Sequence, residues 1–120
     1  MNGLKIAVAG ASGRMGQMLI DTITASSDAT LAGALDIAGC AAVGKDAGSF
    51  LGKATGVLIT DDMQQGLQNA DYLIDFTRPE GTLAHLEYCV AHGKKIIIGT
   101  TGFDAAGKQA LARAAAKIAI

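Results

Sequence analysis

The sequence predicts an α/β domain built on a doubly wound, mostly parallel sheet with helices on both faces. Short β-rich runs alternate with longer stretches of helical period, the pattern of successive βαβ units. Most of those runs are too uniformly apolar for a sheet with one wet face. The first run leads directly into "GASGRMG", Gly10 to Gly16, which sets three glycines between an apolar run and an amphipathic one.

The elements follow in order. "LKIAVA" (4–9) reads as the first strand, a helix runs from Arg14 to Ser26, and "ATLAGAL" (29–35) is the second strand. Residues 37–56 carry glycines at 39, 44, 48, 52 and 56 and hold no period, so a mobile connection with room for one short helical turn is expected. "GVLIT" (56–60) is the third strand, a helix spans Asp61 to Asn69, and "DYLIDF" (71–76) is the fourth strand. The helix from Pro79 to His92 has proline in its first turn, an apolar face of Leu83, Leu86 and Val90, and Gly93 as its C-terminal cap. "KKIIIG" (94–99) is the fifth strand, with Lys94 and Lys95 marking its solvated start. Asp104 caps a last helix that runs to Lys117. The closing "KIAI" reads as the start of another buried strand, so the chain looks cut.

With 120 residues, 50% hydrophobic and 18% charged, the chain is expected to form one domain, 1–120, that buries its own core. The 10 basic and 11 acidic residues are scattered and leave a net charge of -1, which argues against a nucleic-acid partner or an anionic membrane surface. Cys40 and Cys89 lack the density and spacing of a disulfide framework and read as reduced thiols in a cytoplasm. Lys5 followed by an apolar run and the Ala7-Val8-Ala9 triplet imitates a secretory signal, but the run is too short and Arg14 follows quickly. The longest weakly polar stretch, 29–44, contains Asp36 and three glycines and falls short of the ~20 apolar residues of a membrane span. A soluble cytoplasmic protein is expected.

Where a strand gives way to a helix, the first helical N–H groups point into the crevice above the sheet and suit a pyrophosphate. Gly10 permits the sharp turn, Gly13 lets the backbone approach a ligand, and Gly16 lets the helix pack on the strand. The spacing is G-x-x-G-x-x-G, with Ser12 where the more common G-x-G-x-x-G has its middle glycine. Asp36 stands at the end of the second strand, 20 residues after Gly16, where a dinucleotide fold places a carboxylate on the adenosine ribose. Together these point to a Rossmann-type site. The competing account is a strand–turn–helix with packing glycines and a solvated aspartate.

Two later segments, "DFTRPEGT" (75–82) and "GTTGF" (99–103), fall at the carboxyl ends of strands, where open α/β sheets bind ligands. Their hydroxyls and exposed N–H groups suit a nicotinamide carboxamide and ribose. "GASGRMG", "DFTRPEGT" and "IGTTGF", in this order and at these separations, resemble the 4-hydroxy-tetrahydrodipicolinate reductases (dihydrodipicolinate reductases) of lysine and diaminopimelate biosynthesis. The resemblance covers nearly the whole chain.

It implies an oxidoreductase that passes hydride from NADH or NADPH to a cyclic unsaturated dicarboxylate. It also implies that Gly10, Ala11, Ser12, Gly13, Arg14 and Met15 hold the pyrophosphate and Asp36 the adenosine ribose. Gly99, Thr100 and Thr101 would hold the nicotinamide half, and Phe76, Thr77 and Arg78 would line the cleft, joined by His85. Members that use NADPH well often carry an arginine directly after the acid; this chain has Ile37, and Arg14 is the remaining basic group near a 2′-phosphate. The family's second domain, with its paired histidines, lysine proton donor and S-G-T substrate loop, has no counterpart in 1–120, so no catalytic residue is assigned here. Full-length members are expected to form homotetramers.

His85, Cys89 and His92 share one side of their helix, but a metal site would need further ligands and none is expected. Cys89 reads as a half-buried helix residue and His92 as a C-terminal group favoured by the helix dipole. Asp75, inside an apolar strand, reads as a carboxylate that orders the loop after it. Two rival functions stay open: a coenzyme A-binding module, and a dinucleotide sensor without a catalytic domain. Because the resemblance covers the cofactor half only, the 120-residue chain should bind NADH yet show no reductase turnover, whereas a chain continuing through the second domain should be active. Following NADH absorbance with freshly generated substrate at equal protein concentrations checks this; robust turnover by the short chain would contradict it.

Overall fold

A computed structural model of the chain describes residues 4–37, 41–52, 54–77, 79–99 and 105–115. The strands β1 (Leu4–Ala9), β2 (Ala29–Leu35), β3 (Ile59–Thr60), β4 (Tyr72–Asp75) and β5 (Lys95–Ile98) form one sheet in the order β3-β2-β1-β4-β5. Every pairing is parallel, as the apolar runs predict. From β1 the chain moves outward one way to β2 and β3. It then returns to β4 on the other side of β1 and moves outward to β5. The crevice at the carboxyl ends of β1 and β4 is therefore the switch point at which such sheets bind ligands.

Side chains alternate across a strand, and β1 divides its own between two cores. Ala7 and Ala9 join Leu35, Leu67, Leu73, Leu86, Cys89 and Ile96 on one face, while Val8 joins Ile20, Ile23, Leu31, Ala34 and Ile59 on the other. Helix α1 (Arg14–Ala25) covers the second face through Ile20 and Ile23, spaced as one helical stripe. Helices α2 (Met63–Leu67), α3 (Pro79–His92) and α4 (Ala105–Ala115) cover the first through Leu67, Leu86, Cys89 and Leu111.

Helix α3 keeps its predicted bounds. Leu86 is buried and Leu83 and Val90 flank it, while Cys89 is fully buried rather than half-buried, and desolvation pushes its thiol up to about 11. Gly93 adopts φ 68° and the Lys94 N–H donates to the Cys89 carbonyl at 2.9 Å, the glycine C-cap expected at this position. Asp104 and "KIAI" lie outside the described residues.

The β2–β3 connection departs from expectation. Cys40 lies outside the described residues, but 41–52 and 54–58 are tied down rather than loose. Ala42 and Ala47 are buried in the α1-side core, and Gly44, Ala47 and Ile59 donate backbone bonds to Ile59, Val57 and Lys45. The Asp46 carboxylate accepts from the N–H groups of Gly48, Thr55 and Gly56 and from the Thr55 hydroxyl. The Thr55 amide leads the causes that hold its pKa down at about 2. A single turn of 3-10 helix, Ser49–Leu51, is the only regular piece among the described residues of this connection. Leu58 pairs antiparallel with Asp46, so the residues expected to begin the third strand serve the loop and β3 shrinks to two residues.

One contact fixes α2 against the sheet. A Cβ added at Gly33 would lie 1.7 Å from the Gly66 carbonyl oxygen, and one at Gly66 would lie 2.4 Å from Leu35 Cδ2, so helix backbone rests directly on β2. Gly33→Ala should therefore destabilise the fold by about 2 kcal/mol, as overpacking against backbone does. A urea titration should show a lower midpoint with unchanged slope; an unchanged midpoint would contradict the contact.

Candidate functional site

The site begins where β1 ends. Gly10 turns the chain at φ 84°, and its N–H and that of Ala11 both donate to the Leu35 carbonyl, at 2.9 and 3.0 Å. That bifurcated contact ties the turn to the end of β2. A Cβ at Gly16 would lie 2.0 Å from the Gly10 carbonyl oxygen, so only glycine lets α1 descend this close to the strand. Gly13 is the N-cap of α1 at φ -74°, a conformation open to any residue, and it makes no side-chain cap bond. The first-turn amides that follow have no intrahelical acceptors and carry the positive end of the helix dipole.

Asp36 meets this loop from the end of β2. Its Oδ2 accepts from both the amide (2.9 Å) and the hydroxyl of Ser12, and its Oδ1 accepts from the Ile37 amide at 2.9 Å. The Asp36 N–H donates to the Thr60 carbonyl, which anchors the residue to β3 as well. The predicted acid and the predicted glycine loop are thus in direct contact across the crevice.

A cleft of about 220 Å³ opens beside them, lined by Gly10, Leu35, Asp36 and Ile37 on one side and by Thr77, Gly81, His85 and Asp61 on the other. It unites three residues assigned from sequence, Gly10, Asp36 and Thr77, with His85. Asp61 and Gly81 were not assigned as site residues; Asp61 gave only a helix-start signal, although Gly81 stands within the quoted "DFTRPEGT". A larger groove of about 720 Å³ at the amino end of β2 has no charged side chain among its described lining residues.

The far wall is held by a buried carboxylate. Asp75, fully buried at the end of β4, accepts from the Thr77 amide (2.9 Å) and hydroxyl (2.6 Å) through Oδ1, which orders the following loop as expected. Its Oδ2 lies 2.7 Å from Nδ1 of His85. An ionised carboxylate only accepts, so Nδ1 is the donor in this contact. Burial pushes the Asp75 pKa up, but the bonds from His85 and Thr77 outweigh it and hold the carboxyl below its ordinary value.

Phe76 faces β5: a Cβ at Gly99 would lie 2.0 Å from the Phe76 ring, so the ring rests on bare backbone where the last predicted segment begins. Arg78, Thr100 and Thr101 lie outside the described residues. His85, Cys89 and His92 do not converge. His85 engages Asp75, Cys89 is buried, and His92 stacks on Tyr88 with ring centroids 3.9 Å apart.

Comparisons with known proteins agree with this geometry. A family model described as dihydrodipicolinate reductase, N-terminus, matches residues 4–120. The 4-hydroxy-tetrahydrodipicolinate reductase of Herminiimonas arsenicoxydans is 70% identical over 120 residues, all of this chain and 45% of that protein. The reductases of Janthinobacterium sp. (strain Marseille), 71% over 120 residues and again 45% of its length, and Cupriavidus metallidurans, 63% over 117 residues and 44% of its length, are similarly close. The chain thus spans a little under half the length of these relatives. The solved structure of a dipicolinate-bound dihydrodipicolinate reductase from Paenisporosarcina sp. TG-14 superposes with a TM-score of 0.73 at 22% identity, over 94% of this chain and 43% of that one, and shows the same fold.

The depressed Asp75 sets a pH dependence. A carboxyl whose folded pKa lies below its unfolded value contributes its full stability above the unfolded pKa of about 3.9 and loses it as pH falls through the folded value. Stability to urea should therefore decline on the acid side of about pH 4. Asp75→Asn should lower stability at neutral pH and flatten part of that decline, to which the lowered Asp46 also contributes. An acid limb identical in variant and parent would show that Asp75 does not carry it.

Proposed function

The chain belongs to the dihydrodipicolinate reductase family, matching its N-terminal part, and we propose that it is the dinucleotide-binding half of a 4-hydroxy-tetrahydrodipicolinate reductase serving lysine and diaminopimelate biosynthesis. The observation that carries this reading is the meeting of Asp36 with the glycine loop at the switch point of the sheet. A carboxylate and the N-terminus of α1 then bracket one crevice, the first suited to ribose hydroxyls and the second to a pyrophosphate.

The residues fit a nicotinamide dinucleotide. The bare backbone at Gly13, which its own φ does not require, leaves room for phosphate oxygens to approach the amides that follow. The loop from Gly10 to Met15 holds the pyrophosphate, with Ala11 buried beneath it as its anchor. Asp36 takes the adenosine ribose; Phe76, Thr77 and His85 line the cleft, to which the family resemblance adds Arg78, and it assigns Gly99, Thr100 and Thr101 to the nicotinamide half. When bound, the reduced nicotinamide supplies the hydride; this chain's own residues bind and orient it. The dicarboxylate substrate, the proton donor and the homotetramer contacts are assigned to the remaining length of the reductase. No helix among the described residues is long and apolar enough to cross a membrane.

Titrating the purified chain with NADH, NADPH and coenzyme A tests the reading. NADH should bind at least as tightly as NADPH, because Asp36 repels a 2′-phosphate and Ile37 offers it no charge, and coenzyme A should not bind. Gly13→Val should abolish NADH binding while circular dichroism stays native. Unchanged affinity in that folded variant would remove the loop from the site.

A further inference from the structure

We propose that Ser12 is a specificity-determining residue: its amide and hydroxyl together lock one oxygen of Asp36, fixing the charge that sorts a ribose 2′-hydroxyl from a 2′-phosphate. The inference rests on the dinucleotide reading above and names a determinant within that site. It gives a role to the serine that stands where the common glycine pattern has its middle glycine.

The geometry is specific. Ser12 and Asp36 lie 24 residues apart in sequence, and both Ser12 donors reach Oδ2 while the Ile37 amide takes Oδ1. An ionised carboxylate has about four lone-pair directions. The two on Oδ2 are taken by Ser12 and one on Oδ1 by Ile37, which leaves a single direction on Oδ1. The group that sorts the ribose is thus held in one orientation, with one acceptor position left for a ligand. A 2′-hydroxyl can donate to that position. A 2′-phosphate brings like charge to a carboxylate that cannot swing aside, because turning Asp36 away would break both Ser12 bonds at once.

Neither Ser12 nor Asp36 is fully exposed, so solvent screens this contact only in part. A serine that only stiffened the loop would affect both dinucleotides alike, since they share a pyrophosphate. A serine that locks the carboxylate changes the ratio between them.

The experiment is a double-mutant cycle read by calorimetric titration with NADH and NADPH. Ser12→Ala and Ser12→Gly should each weaken NADH about fivefold or more, the effect of losing a hydrogen bond to a charged group, with NADPH unchanged or tighter. Ser12→Thr, which keeps the hydroxyl, should retain the parental ratio. In an Asp36→Ala background the Ser12 substitutions should no longer move the ratio. An unchanged ratio in folded Ser12→Ala and Ser12→Gly, or an equal shift with and without Asp36, would overturn the proposal. If the parent chain binds neither dinucleotide, the dinucleotide reading falls first and takes this proposal with it.

Discussion

The close approach of α1 to the turn after β1 is the constraint on which the rest depends. With no Cβ at position 16, helix backbone sits on the Gly10 carbonyl, and that contact sets where α1 starts and which way its first amides face. The same turn is bound to β2 through the Leu35 carbonyl, so helix, first strand and second strand share one anchor. Displacing the helix would separate Ser12 from Asp36 and open the crevice from its closed end. The small residues of β1, Ala7 and Ala9, belong to the same economy of space, since both are fully buried at the centre of the sheet.

Three aspartates then turn strand ends and loops into fixed structure. Asp36 holds the glycine loop, Asp46 gathers the β2–β3 connection, and Asp75 orders the loop after β4 and orients His85. Each does so by accepting backbone N–H groups that would otherwise need water or regular structure. Among the described residues no buried side-chain nitrogen or oxygen lacks a partner, which is why such polar groups can line a crevice without loosening it. Asp36 lines the crevice directly, and Asp75, buried behind the opposite wall, holds Thr77 and His85 there.

Features with local causes were legible in the sequence. The turn at Gly10, the start of α3 at Pro79 and its cap at Gly93 each depend on a few adjacent residues, and their positions follow from backbone preference alone. The parallel order of the sheet followed from uniformly apolar runs, and Asp36 from its position after β2. What escaped depends on contacts between distant residues. Asp46 orders 41–58 through side-chain bonds that leave no period, and for the same reason β3 was expected to be longer than it is. The Ser12 hydroxyl on Asp36 and the His85 ring on Asp75 are likewise invisible until the fold brings them together. The burial of Cys89 depends on how closely α3 lies against β4 and β5, which helical periodicity does not measure.

The glycine pair beneath α2 reaches further than its own contact. Gly66 lies in a helix of five residues whose capping aspartate, Asp62, directly follows Asp61 on the cleft wall. Because a Cβ at Gly33 would collide with the Gly66 carbonyl, a side chain there would press α2 outward, toward the side from which Asp61 meets the cleft. The depth of packing on the middle of β2 is thereby geared to the width of a crevice at its end. A bulkier residue at position 33 or 66 would thus be felt at the crevice, although neither is among the residues that line it.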